Sequence, residues 1–223
     1  MLEGINYNTN ILQVVIDEAQ DYTKIQYQLL FQIFKNASFT ILGDINQTIN
    51  PYYKYETLNI LNDILPSVKY IELLKTYRSS QEIIEYTNKI LNLKHISAIR
   101  RPNNKPVIKR NNINNLKLNL INDLNILKKE YKSIAIITKT DEETNAIYDL
   151  INIETNITKI NQNSSEYKRD LVILPSYIAK GLEYDAVIIY TDINNYYTKE
   201  EKYLFYVACT RAQNQLIIYN QKI

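Results

Sequence analysis

The chain has 223 residues, 45% of them hydrophobic, which is enough for one large domain or one and a half ordinary domains with an apolar core. Its 26 basic and 24 acidic residues leave a net charge of only +2, so bulk charge does not indicate a nucleic-acid-binding protein and any basic track must be local. The single cysteine excludes an internal disulfide and favours a reducing, cytoplasmic location.

The first predicted element is a short apolar run at residues 11–17 that closes on two carboxylates, which is typical of a buried strand. Helical spacing of apolar residues predicts a helix over 22–36, and a second buried strand follows at 39–42. A helix over about 55–65 and a strand at 70–74 complete this part of the chain.

Ser79 or Ser80 is expected to cap a helix that runs to about residue 92, with Glu82 completing a capping box. The polar stretch 93–106 is the best candidate for an internal linker. Helices and strands then alternate: helices at 114–130, at 141–152 with Asp141 as cap, and at 200–211; strands at 133–138, 171–174, 185–190 and 215–219; and a polar loop at 161–170. This alternation predicts an α/β fold with a mostly parallel sheet flanked by helices.

Glycine is scarce, occurring only as Gly4, Gly43 and Gly181. The phosphate-cradling loop GxxxxGK[ST] needs two glycines at fixed spacing followed by Lys and Ser or Thr. No glycine here precedes a lysine, so the chain contains no P-loop.

Asp17 and Glu18 stand at the carboxyl end of the first predicted strand, the end at which open α/β sheets bind ligands. Mg²⁺ bound with a nucleotide takes one or two protein carboxylates, and a neighbouring carboxylate can orient and deprotonate a water. The pattern therefore predicts Asp17 as a magnesium ligand and Glu18 as a general base. An isolated Asp-Glu pair is more often an ordinary acidic turn, so this interpretation depends on the rest of the chain.

Other polar side chains also follow predicted strands or helices. Gln47 can sense a γ-phosphate or position a water, although alone it is an ordinary turn residue. Arg78 can bind a phosphate in bidentate fashion or be a surface arginine. Between two later strands, Lys180 supplies a cation, Gly181 a tight turn and Glu183 a carboxylate. The last predicted helix ends in Arg211. The simpler alternatives are a loop salt bridge and a cation that complements the helix dipole.

Taken together and in order, these stretches resemble motifs II to VI of superfamily 1 DNA helicases of the UvrD/Rep type. The matching segments are VVIDEAQD (14–21), GDINQTI (43–49), TYRSSQEI (76–83), AKGLEYDAVII (179–189) and LFYVACTRAQNQLII (204–218). LPSYIAKGLEYDAV, and TYRSSQEI followed by RRPNNKP, are most similar to the helicase IV or HelD-type branch, some members of which act on RNA polymerase.

This resemblance implies a site for ATP and Mg²⁺. Asp17 would hold Mg²⁺, Glu18 would be the catalytic base, and Gln47 would couple the γ-phosphate to the DNA site. Arg78 and Arg211 would stabilise the transferring phosphoryl group, a role worth roughly 10³–10⁵ in rate.

The resemblance also implies binding roles. Tyr77 would stack on adenine, Lys180 and Gly181 would belong to the nucleotide-binding loop, and Glu183 would lie near the ribose. Tyr52 would stack on a base of single-stranded DNA, a contact worth roughly 1–3 kcal/mol per base.

The chain departs from this family pattern at several positions. Pro175 and Tyr177 stand where the family usually carries Thr and His that contact DNA. His95 lies outside every motif and is given no role, and Cys209 is expected to be a packing residue.

The resemblance further implies a RecA-like P-loop NTPase fold in two parts. Residues 1–74 would form the C-terminal part of a first RecA-like domain, and 75–223 a second RecA-like domain. ATP would bind between the two domains, and its hydrolysis would move single-stranded DNA. The front of the first domain is missing with its P-loop, so its sheet edge is expected to be exposed or paired with another chain. We expect that this chain alone does not hydrolyse ATP.

Two alternatives remain open. The chain could be a truncated, non-catalytic module that binds DNA, RNA polymerase or a partner helicase; such a module would hold DNA without ATP and with a salt-dependent affinity. It could instead be half of a split enzyme whose P-loop segment comes from a separate chain. No apolar run approaches the roughly 20 residues that span a bilayer, so no membrane partner is expected.

Overall fold

The structure is a computed structural model that describes residues 10–48, 54–65, 68–93, 96–100, 102–111, 114–162 and 170–220. The chain divides into two compact units, Met1–Glu72 (unit 1) and Leu73–Ile223 (unit 2). The stretch 93–106, the linker candidate, lies inside unit 2 rather than between the units. Tyr52 and His95 fall outside the described residues.

The described residues of unit 1 form a two-stranded parallel sheet and one α-helix: β1 (Gln13–Ile16), α1 (Lys24–Ile33) and β2 (Ser38–Ile41). Thr23 caps α1 in a capping box with Gln26, which satisfies two backbone donors at the start of the helix. One face of the sheet packs on a small core that includes Ile16, Tyr27 and Leu61. The helix predicted over 55–65 is found as a 3-10 helix, Leu58–Asp63.

The other face of the unit 1 sheet is bare. Val15 is 60% exposed, and Gln13, Ser38 and Thr40 on the same face are exposed too. Parallel sheets are normally covered on both faces, so this small sheet is incomplete within the described residues.

The predicted strand at 70–74 is wrong. These residues form no strand, and Leu73 is 84% exposed. An apolar run becomes a strand only when a neighbouring strand receives its backbone groups, and no described strand pairs with 70–73. Pairing starts just afterwards, where β3 (Lys75–Thr76) lies parallel to β4 (Ser97–Ala98).

Unit 2 is built on a six-stranded sheet in which every neighbouring pair is parallel, in the order β5-β10-β9-β6-β8-β7. Helix α2 (Gln81–Leu91) precedes the first strand of this sheet in the chain. The elements that follow it are β5 (Ile108–Arg110), α3 (Leu116–Leu127), β6 (Ile134–Thr138), α4 (Asp141–Ile151), β7 (Thr158–Lys159), β8 (Leu171–Pro175), β9 (Tyr184–Tyr190), α5 (Lys202–Cys209) and β10 (Ala212–Tyr219). The predicted α/β class with a mostly parallel sheet is confirmed.

Helices cover both faces of this sheet, which explains why its central strands are continuous apolar runs. Alternate residues of each strand point to opposite faces; Ala135 and Ile137 join the layer under α2 and α5, whereas Ile134 and Ile136 join the layer under α3 and α4. Cys209 is buried in the first layer, as expected for a packing residue. The longest helix, α3, has 12 residues, and no helix in the described parts of the chain is long and apolar enough to cross a membrane.

An ion pair between the half-exposed Arg110 and the buried Asp123 attaches the short edge strand β5 to the rest of unit 2. Arg110 donates from Nε and Nη2 to the two carboxylate oxygens of Asp123, both at 2.6 Å, and the Tyr219 hydroxyl donates to the same carboxylate at 2.5 Å. Charge-assisted bonds of this bidentate kind are stronger than neutral ones. They tie β5, α3 and β10 together.

One predicted helix cap is wrong, and a second stands at its predicted position without the predicted capping bonds. Thr140, not Asp141, is the N-cap of α4, and it forms a capping box with Glu143. At α2 the N-cap is Ser80, but its side chain makes no capping bond, and Glu82 accepts instead from the backbone N–H of Asn104 at 2.8 Å. The sequence pattern placed both helices correctly but missed these bonds, which depend on the local backbone path.

Candidate functional site

Two polar turns meet at the carboxyl edge of the unit 1 sheet, because β1 and β2 run parallel. We call the side chains of Asp17, Glu18, Gln20, Asp44 and Gln47 the acidic corner. Asp17 is exposed, and its Oδ1 accepts from the backbone N–H of Glu18 at 2.8 Å. The carboxylates therefore lie where the sequence analysis expected them, at the end of the first strand.

Gln20 holds the acidic corner together. Its side chain is fully buried, and it donates from Nε2 to Glu18 Oε2 at 2.5 Å while its Oε1 accepts from the Asp44 backbone N–H at 2.9 Å. The Ala19 N–H donates to the Leu42 carbonyl at 2.9 Å, which joins the same two turns through the backbone. Gln20 was not predicted from the sequence, because its partners are fixed only when the two strands pair.

Glu18 adopts an uncommon backbone conformation, with φ 51° and ψ 42°, in the left-handed region. A non-glycine residue there costs roughly 1–3 kcal/mol and persists only where its surroundings hold it. The bonds from Gln20 and to Asp17 supply that restraint. Backbone strain of this kind is common at functional sites, and here it falls on the residue predicted to be the catalytic base.

Gln47 lies in the 3-10 helix Ile45–Gln47 that follows β2. Its Nε2 donates to Asp44 Oδ2 at 2.9 Å, and Asp44 Oδ1 accepts from the Asn46 N–H at the same distance. Gln47 is thus anchored on a carboxylate of the acidic corner, and its expected role toward a γ-phosphate stays a prediction.

Gly43 allows the two turns to approach. A Cβ at this position would lie 2.8 Å from both Ala19 Cβ and Gln20 Oε1.

We expect Gly43→Ala to destabilise unit 1 by about 1–3 kcal/mol, because an added carbon must displace a packed backbone turn or the buried amide. Hydrogen exchange of the Leu42 amide, which donates to the Ile16 carbonyl, measures this locally. Ser38→Ala on the exposed face of β2 is the control; equal protection in both variants would show that the turns can separate without cost.

In unit 2 an arginine and a carboxylate form a half-exposed ion pair. Arg78 Nε lies 2.6 Å from Glu183 Oε1, with both side chains 37% exposed. The other carboxylate oxygen of Glu183 accepts from Gln213 Nε2 at 2.8 Å. We call Arg78, Glu183 and Gln213 the arginine cluster; it joins the turns before α2, before β9 and at the start of β10.

The backbone beside Arg78 is fixed to the start of β10. The buried Ser79 hydroxyl donates to the Ala212 carbonyl at 2.6 Å, and the Ser80 N–H donates to the Gln213 carbonyl at 2.8 Å. Arg100 Nη1 donates to the Arg78 carbonyl at 3.1 Å. These bonds attach the backbone on either side of Arg78 to β10 and to Arg100.

Three further predicted nucleotide contacts lie in the same unit. Tyr77, next to Arg78, is 71% exposed, so its ring is available for stacking. Gly181 has φ 78°, a conformation that a residue with a side chain adopts only under strain, and Lys180 beside it is half-buried. This turn therefore requires glycine, which agrees with the tight turn that was predicted between two strands.

Arg211 is placed differently from Arg78. It is fully buried, with Nε donating to the Val207 carbonyl at 3.0 Å and Nη1 donating to the Leu182 carbonyl at 3.3 Å. The guanidinium thus donates to a carbonyl in the last turn of α5. This contact agrees with the simpler alternative, in which Arg211 is a cation that complements the end of the helix. To reach a phosphate on the surface, Arg211 would have to leave these bonds.

The loop that departs from the family pattern forms its own contact. The Tyr177 hydroxyl donates to Asp141 Oδ2 at 2.6 Å, a bond that raises the pKa of Tyr177 to about 12. Pro175 is the last residue of β8. The loop after β8 is therefore tied to the first turn of α4 by a tyrosine that stays protonated at neutral pH.

A second polar group at the carboxyl edge of the large sheet was missed by the sequence analysis. Lys139 follows β6, and its Nζ lies 2.8 Å from Glu201 Oε2 and donates to Asn195 Oδ1 at 3.0 Å. Burial raises the pKa of Glu201, but the hydrogen bonds from Lys139 and Thr198 and the charge of Lys139 together outweigh burial and hold the pKa below its ordinary value. Glu143 accepts from the backbone N–H groups of Lys139 and Asp192 at 2.8 and 2.9 Å. These bonds fix the loop before α5 to the end of β6.

The described residues contain no group of three or more His, Cys, Asp or Glu side chains placed to hold a metal ion. A magnesium ion that arrives with a nucleotide needs only one or two protein carboxylates, and the exposed carboxylate of Asp17 fits that requirement.

Comparison with known proteins gives consistent results. A family model described as the UvrD-like helicase C-terminal domain matches residues 8–222. A protein of Acanthamoeba polyphaga mimivirus named as an ATP-dependent DNA helicase is 29% identical over 93% of this chain and 34% of its own length. The ATP-dependent DNA helicase Rep of Escherichia coli is 32% identical over 37% of this chain and 13% of its own length.

A solved structure gives the same result at the level of the fold. The C-terminal domain of a possible DNA helicase from Lactobacillus plantarum superposes with a TM-score of 0.54, is 29% identical, and covers 66% of this chain and 88% of that chain. The chain spans about a third of the length of the mimivirus relative (34%). The family model covers nearly all of the chain, and the chain belongs to the UvrD-like helicase C-terminal domain family.

Proposed function

We propose that this chain is part of an ATP-dependent DNA helicase or translocase, in which hydrolysis of ATP is coupled to movement on single-stranded DNA. The observation that carries the proposal is the acidic corner, where the Glu18 carboxylate is fixed by the buried amide of Gln20 beside the exposed Asp17. A base and a metal ligand at the carboxyl end of a parallel strand suit hydrolysis of a nucleotide. The relatives named as ATP-dependent DNA helicases support the choice of ATP and DNA.

Each unit would contribute its own residues to the reaction. In unit 1, Asp17 would hold Mg²⁺, Glu18 would deprotonate the attacking water, and Gln47 would respond to the γ-phosphate. In unit 2, Arg78 would bind the transferring phosphoryl group and Tyr77 would stack on the base. Mg²⁺ would neutralise charge on the phosphate oxygens.

The remaining assignments follow from the resemblance of the sequence. Lys180 and Gly181 would contact the nucleotide, Glu183 would lie near the ribose, and Tyr52 would stack on single-stranded DNA. Arg211 would join Arg78 only if its guanidinium leaves the Val207 and Leu182 carbonyls. The same proposal includes membership of the helicase IV or HelD-type branch, RNA polymerase as a partner and a cytoplasmic location.

A P-loop segment from outside this chain is the partner that the proposal requires. The β- and γ-phosphates are normally held by P-loop amides and a lysine, and this sequence has no such loop. Unit 1 offers a bare sheet face, and the apolar stretch 70–73 at its C-terminal boundary pairs with no described strand. These features suit a sheet that is completed by further strands, supplied by the same polypeptide or by another chain.

The test is ATP hydrolysis, measured with and without single-stranded DNA, on this chain alone and on the chain supplied with a P-loop segment from the same family. We expect no hydrolysis by the chain alone and DNA-stimulated hydrolysis by the mixture. Glu18→Gln, which keeps the size of the side chain but removes the base, should lower the rate of the mixture by roughly 10²–10⁴-fold.

Two results would contradict this proposal. Hydrolysis by the chain alone that is lost in Glu18→Gln would show that a P-loop is not needed. A mixture that binds DNA tightly and with salt dependence, but never hydrolyses ATP, would support a non-catalytic binding module instead.

A further inference from the structure

The Arg78 guanidinium is held at one position only. Its Nε lies 2.6 Å from Glu183 Oε1, and neither terminal nitrogen of Arg78 donates a hydrogen bond to a described residue. A guanidinium binds phosphate best through two parallel N–H groups. Because Glu183 occupies the Nε side, the two terminal nitrogens remain presented as a pair, and a phosphate does not need to displace the carboxylate.

Glu183 is itself oriented by a second side chain. Gln213 Nε2 donates to Glu183 Oε2 at 2.8 Å, so the carboxylate is fixed through both of its oxygens. Gln213 is the second residue of β10, and its backbone carbonyl accepts from the Ser80 N–H at 2.8 Å. The amide therefore stands on the sheet, at the point to which the backbone next to Arg78 is also attached.

We propose that Gln213 is a positioning residue for phosphate binding: it orients Glu183, and Glu183 holds Arg78 so that its two terminal nitrogens face a phosphoryl group. This inference deepens the proposed function and rests on it for the identity of the nucleotide. Its physical basis is the rotamer freedom of a long arginine side chain, which costs less on binding when the side chain is already held.

Substitution of Gln213 isolates this effect, because it changes no charge at the site. Gln213→Met keeps the length of the side chain but removes the donor to Glu183. Loss of one half-exposed hydrogen bond corresponds to a change of roughly two- to fivefold in the population of the held arginine. A substitution of Glu183 would also change the charge near the phosphate, so the loss of positioning could not be separated from the change in charge.

The experiment uses the full chain and two measurements by NMR. The first is hydrogen exchange of the Arg78 Nε–H without any ligand, which we expect to become about two- to fivefold faster in Gln213→Met. The second is the affinity for inorganic tripolyphosphate, a probe that lacks base and ribose, which should fall by a similar factor. In an Arg78→Gln background, Gln213→Met should leave the tripolyphosphate affinity unchanged, a result that a merely structural role of Gln213 would not produce.

Gln32→Met, at an exposed position of α1 in unit 1, is the matched control and should change neither measurement. Unchanged Nε–H exchange in Gln213→Met would overturn the proposal whatever the anion does. A higher tripolyphosphate affinity in Gln213→Met would also overturn it, since Glu183 would then compete with phosphate for Arg78. Failure of the ATP hydrolysis test with both NMR results as expected would refute the proposed function but not the orientation of Arg78.

Discussion

Arg78→Gln is expected to lower ATP hydrolysis by roughly 10³–10⁵-fold when the chain is supplied with a P-loop segment, because charge on the transferring phosphoryl group loses its arginine. Stability should change little. The Arg78–Glu183 pair is 37% exposed on each side, and half-exposed ion pairs contribute only about 0–1 kcal/mol. A large loss of rate with an intact fold is the signature of a residue that acts on the phosphate.

The measurement is the turnover rate at saturating ATP, together with urea unfolding of each variant. Arg100→Gln is the matched control, since Arg100 lies beside Arg78 and donates to its carbonyl but offers a backbone contact rather than a phosphate contact. We expect less than a tenfold effect from Arg100→Gln. Equal losses in the two variants would indicate that the segment 78–100 acts through its folding and not through the Arg78 guanidinium.

The architecture of unit 2 was predictable because its strands are buried on both faces. β6, β8 and β9 are apolar runs closed by polar residues, and their helices carry the complementary spacing. The strands that the sequence did not show are β3, β4, β5 and β7, each of two or three residues, too short to carry a period. The wrong strand at 70–74 has the opposite cause: its composition suits a strand, but no described strand pairs with residues 70–73.

The candidate site was predictable only in part. Strand ends place Asp17 and Glu18 correctly, because the end of an apolar run is visible in the sequence. Gln20 and Gln213 were not predicted, since each acts on a partner 24 or 30 residues away that only the folded chain brings near. The exposure of the two arginines could not be predicted from the sequence either. Arg78 and Arg211 each lie in a motif-like segment, yet Arg78 is half-exposed and Arg211 is fully buried.

This difference predicts a separate outcome for Arg211→Ala, which we expect to destabilise unit 2 by about 3–5 kcal/mol. Truncation removes one of the largest fully buried side chains and leaves a cavity, and it also deprives the Val207 and Leu182 carbonyls of a donor. Urea unfolding measures the change. Lys202→Ala, at an exposed position in the first turn of α5, is the control and should stay within about 0.5 kcal/mol.

Arg211→Lys separates the structural role from a role on phosphate. Lysine keeps the charge but cannot donate in a fixed fork to two carbonyls, so a structural arginine predicts a loss of stability intermediate between wild type and Arg211→Ala. If instead Arg211→Ala unfolds at the wild-type urea concentration and loses hydrolysis as completely as Arg78→Gln, the guanidinium must leave the interior during the reaction. Arg211 would then act with Arg78 on the phosphoryl group, and the bonds to Val207 and Leu182 would describe the nucleotide-free state.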